Sequence, residues 1–367
     1  MSSQKNLKLS RRQYFFLIIQ SQIGVGIIAL PFDLHSAAKQ DGWISLLMAG
    51  MLITVLMFFI WLLAKKYPDK DYFQIQEYVL SRWGGKAFSV LYIGYFACVG
   101  ILILLLYSRM ISLWVLPNTP YWILSLIMVA ICMYIVSGDL IIMGRLYTMF
   151  SGFLIFMVGL LLYSGKDSKL MYLFPIAADG WGGIFAGIDK GIISFLGFIL
   201  ALVIYSAVDG KPKDKLKTII YAQLTVLFFY LSIVFVTFTF FSTKEVALVS
   251  EPVLYMLKSY QFPIVARIDL FFISMWMIFV TTSLSTYLYM AGLGTRRVLQ
   301  KENNPFIILL VGALFYLLSL FIGFDIAKLE KFSDFVVKGG YIFSMGLPLL
   351  ILFISLFRKS PKKENAV

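Results

Sequence analysis

From residue 13 onward the chain is a series of apolar runs, each near the roughly 20 residues that a helix needs to cross a bilayer. Few folds are open to such a chain. Inside hydrocarbon every backbone N–H and C=O must be paired within the protein, so long unbroken apolar runs become helices. Ten runs are read, at about 13–36, 43–64, 87–116, 121–137, 146–163, 191–208, 216–241, 268–288, 305–323 and 339–357. At 60% hydrophobic and 14% charged, the 367 residues carry more apolar surface than a water-soluble domain hides. The reading is an all-α membrane protein of ten transmembrane helices, a single integral domain over 1–367. The first run lacks a small-residue cleavage site and is expected to be retained rather than removed as a leader.

The net charge of +13 sits in the gaps between the runs. Counting alternate gaps from the N-terminus gives 21 lysines and arginines on one side against 10 on the other, with Arg109 inside the third run. Such an excess marks cytoplasmic loops, so both termini and the short tail at 359–367 are expected in the cytoplasm. Basic residues used this way orient a chain in lipid and do not point to nucleic acid. The 65–86 gap carries YFQIQEYVLSRW, which suits a short interfacial helix. Two long outer gaps, 164–190 and 242–267, read either as solvated connectors or as a lid or docking surface. Cys98 and Cys132 fall in apolar runs without CxxC spacing and read as buried thiols.

Ten spans divide into five plus five. An odd number per half places the halves in opposite orientations, the plan of inverted-repeat transporters, here about 12–165 and 188–358. In that plan the first helix of each half is broken at the substrate site. The first run carries QSQIGVGIIALP, with Gly24 and Gly26 one residue apart and Pro31 beyond. Glycine costs about 1 kcal/mol relative to alanine in a helix and proline removes a donor, so a break is expected at 23–27. In the sixth run, SFLGF puts Gly197 in the matching place, as a break or as a close-packing site. A break offers free N–H groups to a carboxylate and free carbonyls to an ammonium, so it holds a small zwitterion without a charged side chain.

Other candidates are read with their ordinary alternatives. The eighth run holds five hydroxyls between Thr281 and Thr286. They either bond back to their own helix, or Thr281, Thr282 or Ser283 faces the first break and supplies oxygens to a ligand, with Thr282 and Ser283 a possible Na⁺ site. Tyr95 and Cys98 share one face of the third helix, as a pocket wall or as packing. Arg109 reads as snorkelling to the outer surface and His35 as a solvated interfacial residue. The run Gly24-Val25-Gly26-Ile27-Ile28-Ala29 matches a dinucleotide fingerprint only formally, because no strand precedes it. No zinc-protease, Walker or nucleophile-elbow motif occurs, so no enzyme, cofactor or structural metal is expected.

The residues also carry a resemblance. The stretch LIIQSQIGVGIIALPFDLHSAAKQDGWISLLMAG, RWGGKAFS before the third span and FPIAADGWGGIFAGI before the sixth resemble the GerAB-type B subunits of bacterial spore germinant receptors, over essentially the whole chain. That family lies in the amino acid–polyamine–organocation superfamily, with a LeuT-like 5+5 inverted-repeat fold and broken first and sixth helices. The resemblance implies a receptor subunit in the spore inner membrane. Its partners would be an A subunit and a C-subunit lipoprotein, and its ligand a small nutrient, with an amino acid as the default. An amino-acid permease using the same site is the alternative. The implied site is Ile23, Gly24, Val25 and Gly26 with Phe195, Leu196 and Gly197, to which Tyr95, Cys98, Thr281, Thr282 and Ser283 are added.

Overall fold

A computed structural model describes residues 8–178, 180–260, 267–301 and 304–358. The series of helices begins with α1 (Arg11–Gln22), capped reciprocally by Ser10 and Gln13, and α2 (Leu30–Ala38), with Pro31 in its first turn where no donor is missed. Then come α3 (Gly42–Lys66), α4 (Tyr72–Leu80), α5 (Arg82–Trp114), α6 (Tyr121–Ser137), α7 (Leu140–Phe150) and α8 (Gly152–Ser164). The second half of the chain forms α9 (Trp181–Ile193), α10 (Leu200–Val203), α11 (Pro212–Phe240), the short α12 (Thr243–Val246) and α13 (Pro252–Lys258), and α14 (Ile268–Leu299). It ends with α15 (Phe306–Ile322), α16 (Ile326–Gly340) and α17 (Leu347–Leu356), the last two joined by a π-helical turn, Tyr341–Gly346.

Among the described residues, six helical segments are long and apolar enough to cross a membrane, or seven if the bent pair Trp181–Ile193 and Leu196–Val203 is one span. α6 and α15 are shorter apolar helices of 17 residues. The protein is thus an all-helical membrane protein. Between apolar helices in lipid, association rests on close packing, and small residues let backbones approach. α9 shows this with Gly183, Gly187 and Gly191 one turn apart. A Cβ on them would lie 3.1 Å from the Ala37 carbonyl, 2.5 Å from Ser45 Oγ and 2.8 Å from the Ala49 Cβ. That stripe seats α9 on α2 and α3.

Two gaps differ from their expected form. Much of the 164–190 connector is helix, because α9 begins at Trp181, ten residues before the apolar run; its glycines hide it from hydropathy. The 65–86 gap forms the expected short helix, and differs in how deeply it is packed: α4 buries Tyr72, Phe73, Ile75 and Val79 against the bundle. In the 242–267 gap, α12 and α13 are formed and residues 261–266 lie outside the described residues, as does the tail at 359–367.

One face of the bundle, the terminal face, gathers both described chain ends. Leu9 pairs with the second half like a strand: its N–H donates to Ala207 at 2.8 Å, and Asp209 donates to its carbonyl at 2.9 Å. Arg11 meets Asp214 at 3.5 Å, and Lys66 donates to the Ser355 carbonyl. Nearby, Arg297 Nε pairs with Asp71 at 2.7 Å, fastening α14 to the start of α4.

Candidate functional site

The first helix stops where the sequence breaks it. α1 ends at Gln22, and Ile23 closes it by donating to the Ile19 carbonyl at 3.0 Å. Gly24 then departs from helical geometry (φ −151°, ψ −140°), a tight 3₁₀ turn spans Val25–Ile27, and α2 resumes at Leu30. The first N–H groups of a turn have no acceptor within it, so Val25 and Gly26 present donors here.

The second break lies at 194–199. α9 ends at Ile193, Ser194 and Phe195 follow, a 3₁₀ turn runs Leu196–Ile199, and the direction changes by 52°. The two breaks touch through backbone. A Cβ at Gly197 would sit 1.9 Å from the Ser21 carbonyl oxygen, so only glycine allows this approach. Ser21 Oγ reaches the Gly197 carbonyl at 3.1 Å across the contact, its nearer acceptor being the Ile18 carbonyl at 2.8 Å.

Three side chains from outside the breaks hold the opened backbone. The Tyr230 hydroxyl of α11 donates to the Gln22 carbonyl at 2.8 Å, with the Ser194 carbonyl at 3.2 Å, so one phenol spans both breaks. Trp276 Nε1 of α14 donates to the Gly24 carbonyl at 3.3 Å. Ser283 Oγ lies 3.5 Å from the Ser21 carbonyl and would be 3.0 Å from a Cβ at Gly24.

These residues wall a cavity of about 770 Å³. Its buried end is formed by Ser21, Gln22, Gly24, Gly197, Trp276 and Ser283, without a carboxylate or basic side chain. One flank is apolar, from Val99, Leu102, Ile103 and Leu106 on α5. The other end is charged: Asp33, Asp189, Glu251, Glu330 and Asp334 line it with Arg109, Lys190 and Lys338. Across this mouth Tyr341, at the start of the π turn, hydrogen-bonds the Asp189 carboxylate. The arrangement suits a small molecule with polar groups at one end and an apolar body, held by main-chain groups and hydroxyls.

Of the expected site residues, Gly24, Val25, Gly26, Leu196, Gly197 and Ser283 line this cavity. The others lie elsewhere. Ile23 and Phe195 are core, the Phe195 ring packing edge-on to Tyr230. Tyr95 stacks on Phe343 with its hydroxyl 3.3 Å from Ser344, and Cys98 is a half-buried free thiol on the same helix. Thr281 donates to the Met277 carbonyl and Thr282 to that of Phe279, each bonding back to its own helix. Of the two possible Na⁺ ligands, Ser283 lines the cavity at the break and Thr282 is not among its lining residues.

Arg109 lines the charged mouth of the cavity. His35 is not solvated: it is 3% exposed, packed edge-on to Phe238, because α2 is covered by α9, α11 and α12. Gln22, Ser194, Tyr230, Trp276 and Tyr287 also line the cavity and were not anticipated. A signal existed only for Gln22, a polar residue within an apolar run and next to the break.

The chain matches the family described as "Spore germination protein" over residues 8–323. It is 28% identical to spore germination protein GerQB of Bacillus cereus over 351 residues, 94% of this chain and 95% of that one. It is 25% identical to spore germination protein YndE of Bacillus subtilis (strain 168), covering 97% and 98% of the two chains. Among solved structures it resembles MhsT in complex with L-phenylalanine, with a TM-score of 0.60, 16% identity and coverage of 95% and 90%. A Na⁺-coupled sialic acid symporter in a substrate-bound outward-open state matches with a TM-score of 0.63, 11% identity and coverage of 91% and 78%. At these identities the solved structures establish the fold alone, the LeuT-like arrangement.

Proposed function

This chain belongs to the spore germination protein family, and from that premise we propose that it is the membrane B subunit of a germinant receptor, sensing a small nutrient in the cavity at the two breaks. The nutrient is an amino acid. One observation carries the reading: the cavity ends at two facing helix breaks, where loosened backbone meets hydroxyls and no charged side chain. A zwitterion finds donors for its carboxylate and acceptors for its ammonium there without a fixed charge to favour simple anions or cations.

In this proposal the helices form ten spans, the broken pairs α1–α2 and α9–α10 each opening an inverted repeat, at about 12–165 and 188–358. Both termini face the cytoplasm of the spore, beneath its inner membrane. Nutrient binds one state of the bundle more tightly than the other. That difference alone sets how far it biases the A subunit and the C-subunit lipoprotein.

The alternative is an amino-acid permease with the same pocket. Purified protein in liposomes separates the two. Saturable amino-acid binding without flux of labelled solute is expected; flux down a gradient would make it a permease. No binding across amino acids, sugars and nucleosides would overturn both and leave a structural subunit.

A further inference from the structure

A second cavity, of about 410 Å³, lies at the other end of α1 from its break, where α7 rests against the helix start. Ser10, Arg12, Gln13, Arg145, Thr148 and Met149 line it. Its floor is internally satisfied. Ser10 and Gln13 cap each other at 2.9 and 3.2 Å, and Gln13 Nε2 donates to the Ile141 carbonyl at 3.4 Å. The two arginines are not satisfied. Neither guanidinium meets a carboxylate or a hydrogen-bond acceptor among the described residues, whereas the neighbouring Arg11 has Asp214. Their setting compounds this. The first turn of α1 holds no acidic residue, and the aligned peptide dipoles make that end of the helix positive. Two cations and a positive helix end around one hollow repel each other, and an anion placed in it attracts all three.

The hollow also opens onto bare apolar surface, beginning with the exposed Met149 on its rim. Among the described residues, the span made of α7 and α8 is the least covered of the six long apolar segments. Its apolar stretch is 22% buried, against 28% or more for the others. From Arg145, steps of three and four residues along one helix face reach Thr148, Gly152, Ile155, Gly159 and Leu162. A Cβ on Gly152 or Gly159 would meet nothing within 4 Å, so this face is notched twice, and Ile155 and Leu162 beside the notches are exposed. Residues 148–159 extend about 16 Å at about 1.5 Å per residue, close to the depth of one leaflet's hydrocarbon. Gly144, next to Arg145, is covered by contrast: a Cβ there would lie 3.0 Å from the Gln13 Cβ.

We propose that this hollow is a site for an anionic glycerophospholipid. The headgroup phosphate sits between the Arg12 and Arg145 guanidiniums, each able to give it paired N–H donors, and one acyl chain lies along the notched face of α8. A charged hollow joined to an apolar groove of leaflet depth suits a lipid better than a soluble phosphate, which would fill the hollow and leave the groove bare. A zwitterionic lipid brings its own cation to the two arginines and is held less tightly. Bound lipid clamps α1 to α7 at the end away from the break, and nothing in this depends on what the inner cavity holds.

The test uses the purified, delipidated full-length protein in detergent. It is titrated with phosphatidylglycerol, with phosphatidylcholine carrying the same oleoyl chains, and with inorganic phosphate. Binding is read as retained lipid by native mass spectrometry and as a rise in melting temperature. The wild type is expected to prefer phosphatidylglycerol. Arg12→Gln with Arg145→Gln should weaken that lipid about thirtyfold and, without lipid, melt no lower than the wild type, because a repulsion has been removed. Lys213→Gln with Lys217→Gln, which removes as much exposed charge elsewhere, should keep the preference. Gly152→Leu with Gly159→Leu grows side chains into open space and should weaken phosphatidylglycerol about tenfold. Unchanged phosphatidylglycerol binding in the arginine variant, or equal loss in the lysine variant, overturns the site. A lipid-free arginine variant that melts below the wild type makes the pair structural and also overturns it. Inorganic phosphate that raises the wild-type melting temperature as far as phosphatidylglycerol does, or a glycine variant that binds the lipid as the wild type does, overturns the lipid as occupant.

Discussion

Replacing Gly197 by alanine tests the contact on which the two breaks depend. The added Cβ would lie 1.9 Å from the Ser21 carbonyl oxygen, 2.3 Å from its carbon and 2.8 Å from Gln22 N. All three are backbone atoms, so no flexible side chain can swing away. To reach even 3.0 Å the two breaks must separate by more than an ångström. Overpacking a close-fitted interior costs about 1–3 kcal/mol, and a backbone-on-backbone clash belongs near the top of that range. The separation also lengthens the reach of Ser21 Oγ to the Gly197 carbonyl and the span of the Tyr230 phenol, whose two acceptors sit on opposite breaks. At about 3 kcal/mol the melting temperature of the detergent-solubilised protein is expected to fall by roughly 4 °C.

The same methyl group elsewhere supplies the controls. At Gly24 the nearest atom is the movable Ser283 Oγ at 3.0 Å, and at Gly26 it is Ser194 Oγ at 4.0 Å. Alanine should therefore be most damaging at 197, mild at 24 and least damaging at 26. Melting curves of the three variants in one detergent give the order directly. A Gly197→Ala protein that melts with the wild type, or below-wild-type melting led by Gly26→Ala, refutes the backbone contact.

Three further outcomes are expected. Gly24→Leu, which drives a branched side chain toward Ser283, should abolish the nutrient response of spores while the protein still inserts; normal germination would count against a ligand site at the break. Tyr230→Phe leaves the Gln22 carbonyl without its donor inside the bundle, a loss of about 1–3 kcal/mol, read as a lower melting temperature and checked by the milder effect expected of an exposed position such as Tyr221→Phe. Glu245 caps α12 by accepting from the N–H and hydroxyl of Ser242, and these bonds hold its carboxyl below the ordinary 4.5. A lowered acid stabilises in full above its unfolded value and loses that contribution as pH falls through the folded one. Protection factors of the α12 amides, with the intrinsic pH dependence of exchange divided out, should accordingly fall below about pH 4.5, and the Glu245→Gln protein should lose that pH dependence.

The sequence places the first break almost to the residue because two physical signals coincide there. Gly24 and Gly26 weaken the helix, and Pro31 fits only near a helix start, which is where α2 puts it. The second break has one glycine, and that glycine serves the approach to Ser21, while the chain turns at Ser194 and Phe195, residues with no breaker chemistry. The start of α9 escaped because glycine lowers mean hydropathy although it is what packs the helix. In the hydroxyl run only Ser283 reaches the break. Hydroxyl spacing cannot tell that Thr281 and Thr282 turn back on their own helix. Tyr230 and Trp276 had no local signal at all: an aromatic in an apolar run looks the same whether it fills lipid-facing space or reaches across to a free carbonyl.

The pairing of Leu9 with Ala207 and Asp209 ties the segment before the first helix to the second half of the chain. Any motion of the first helix relative to the second half of the chain must either carry those two main-chain hydrogen bonds along or break them.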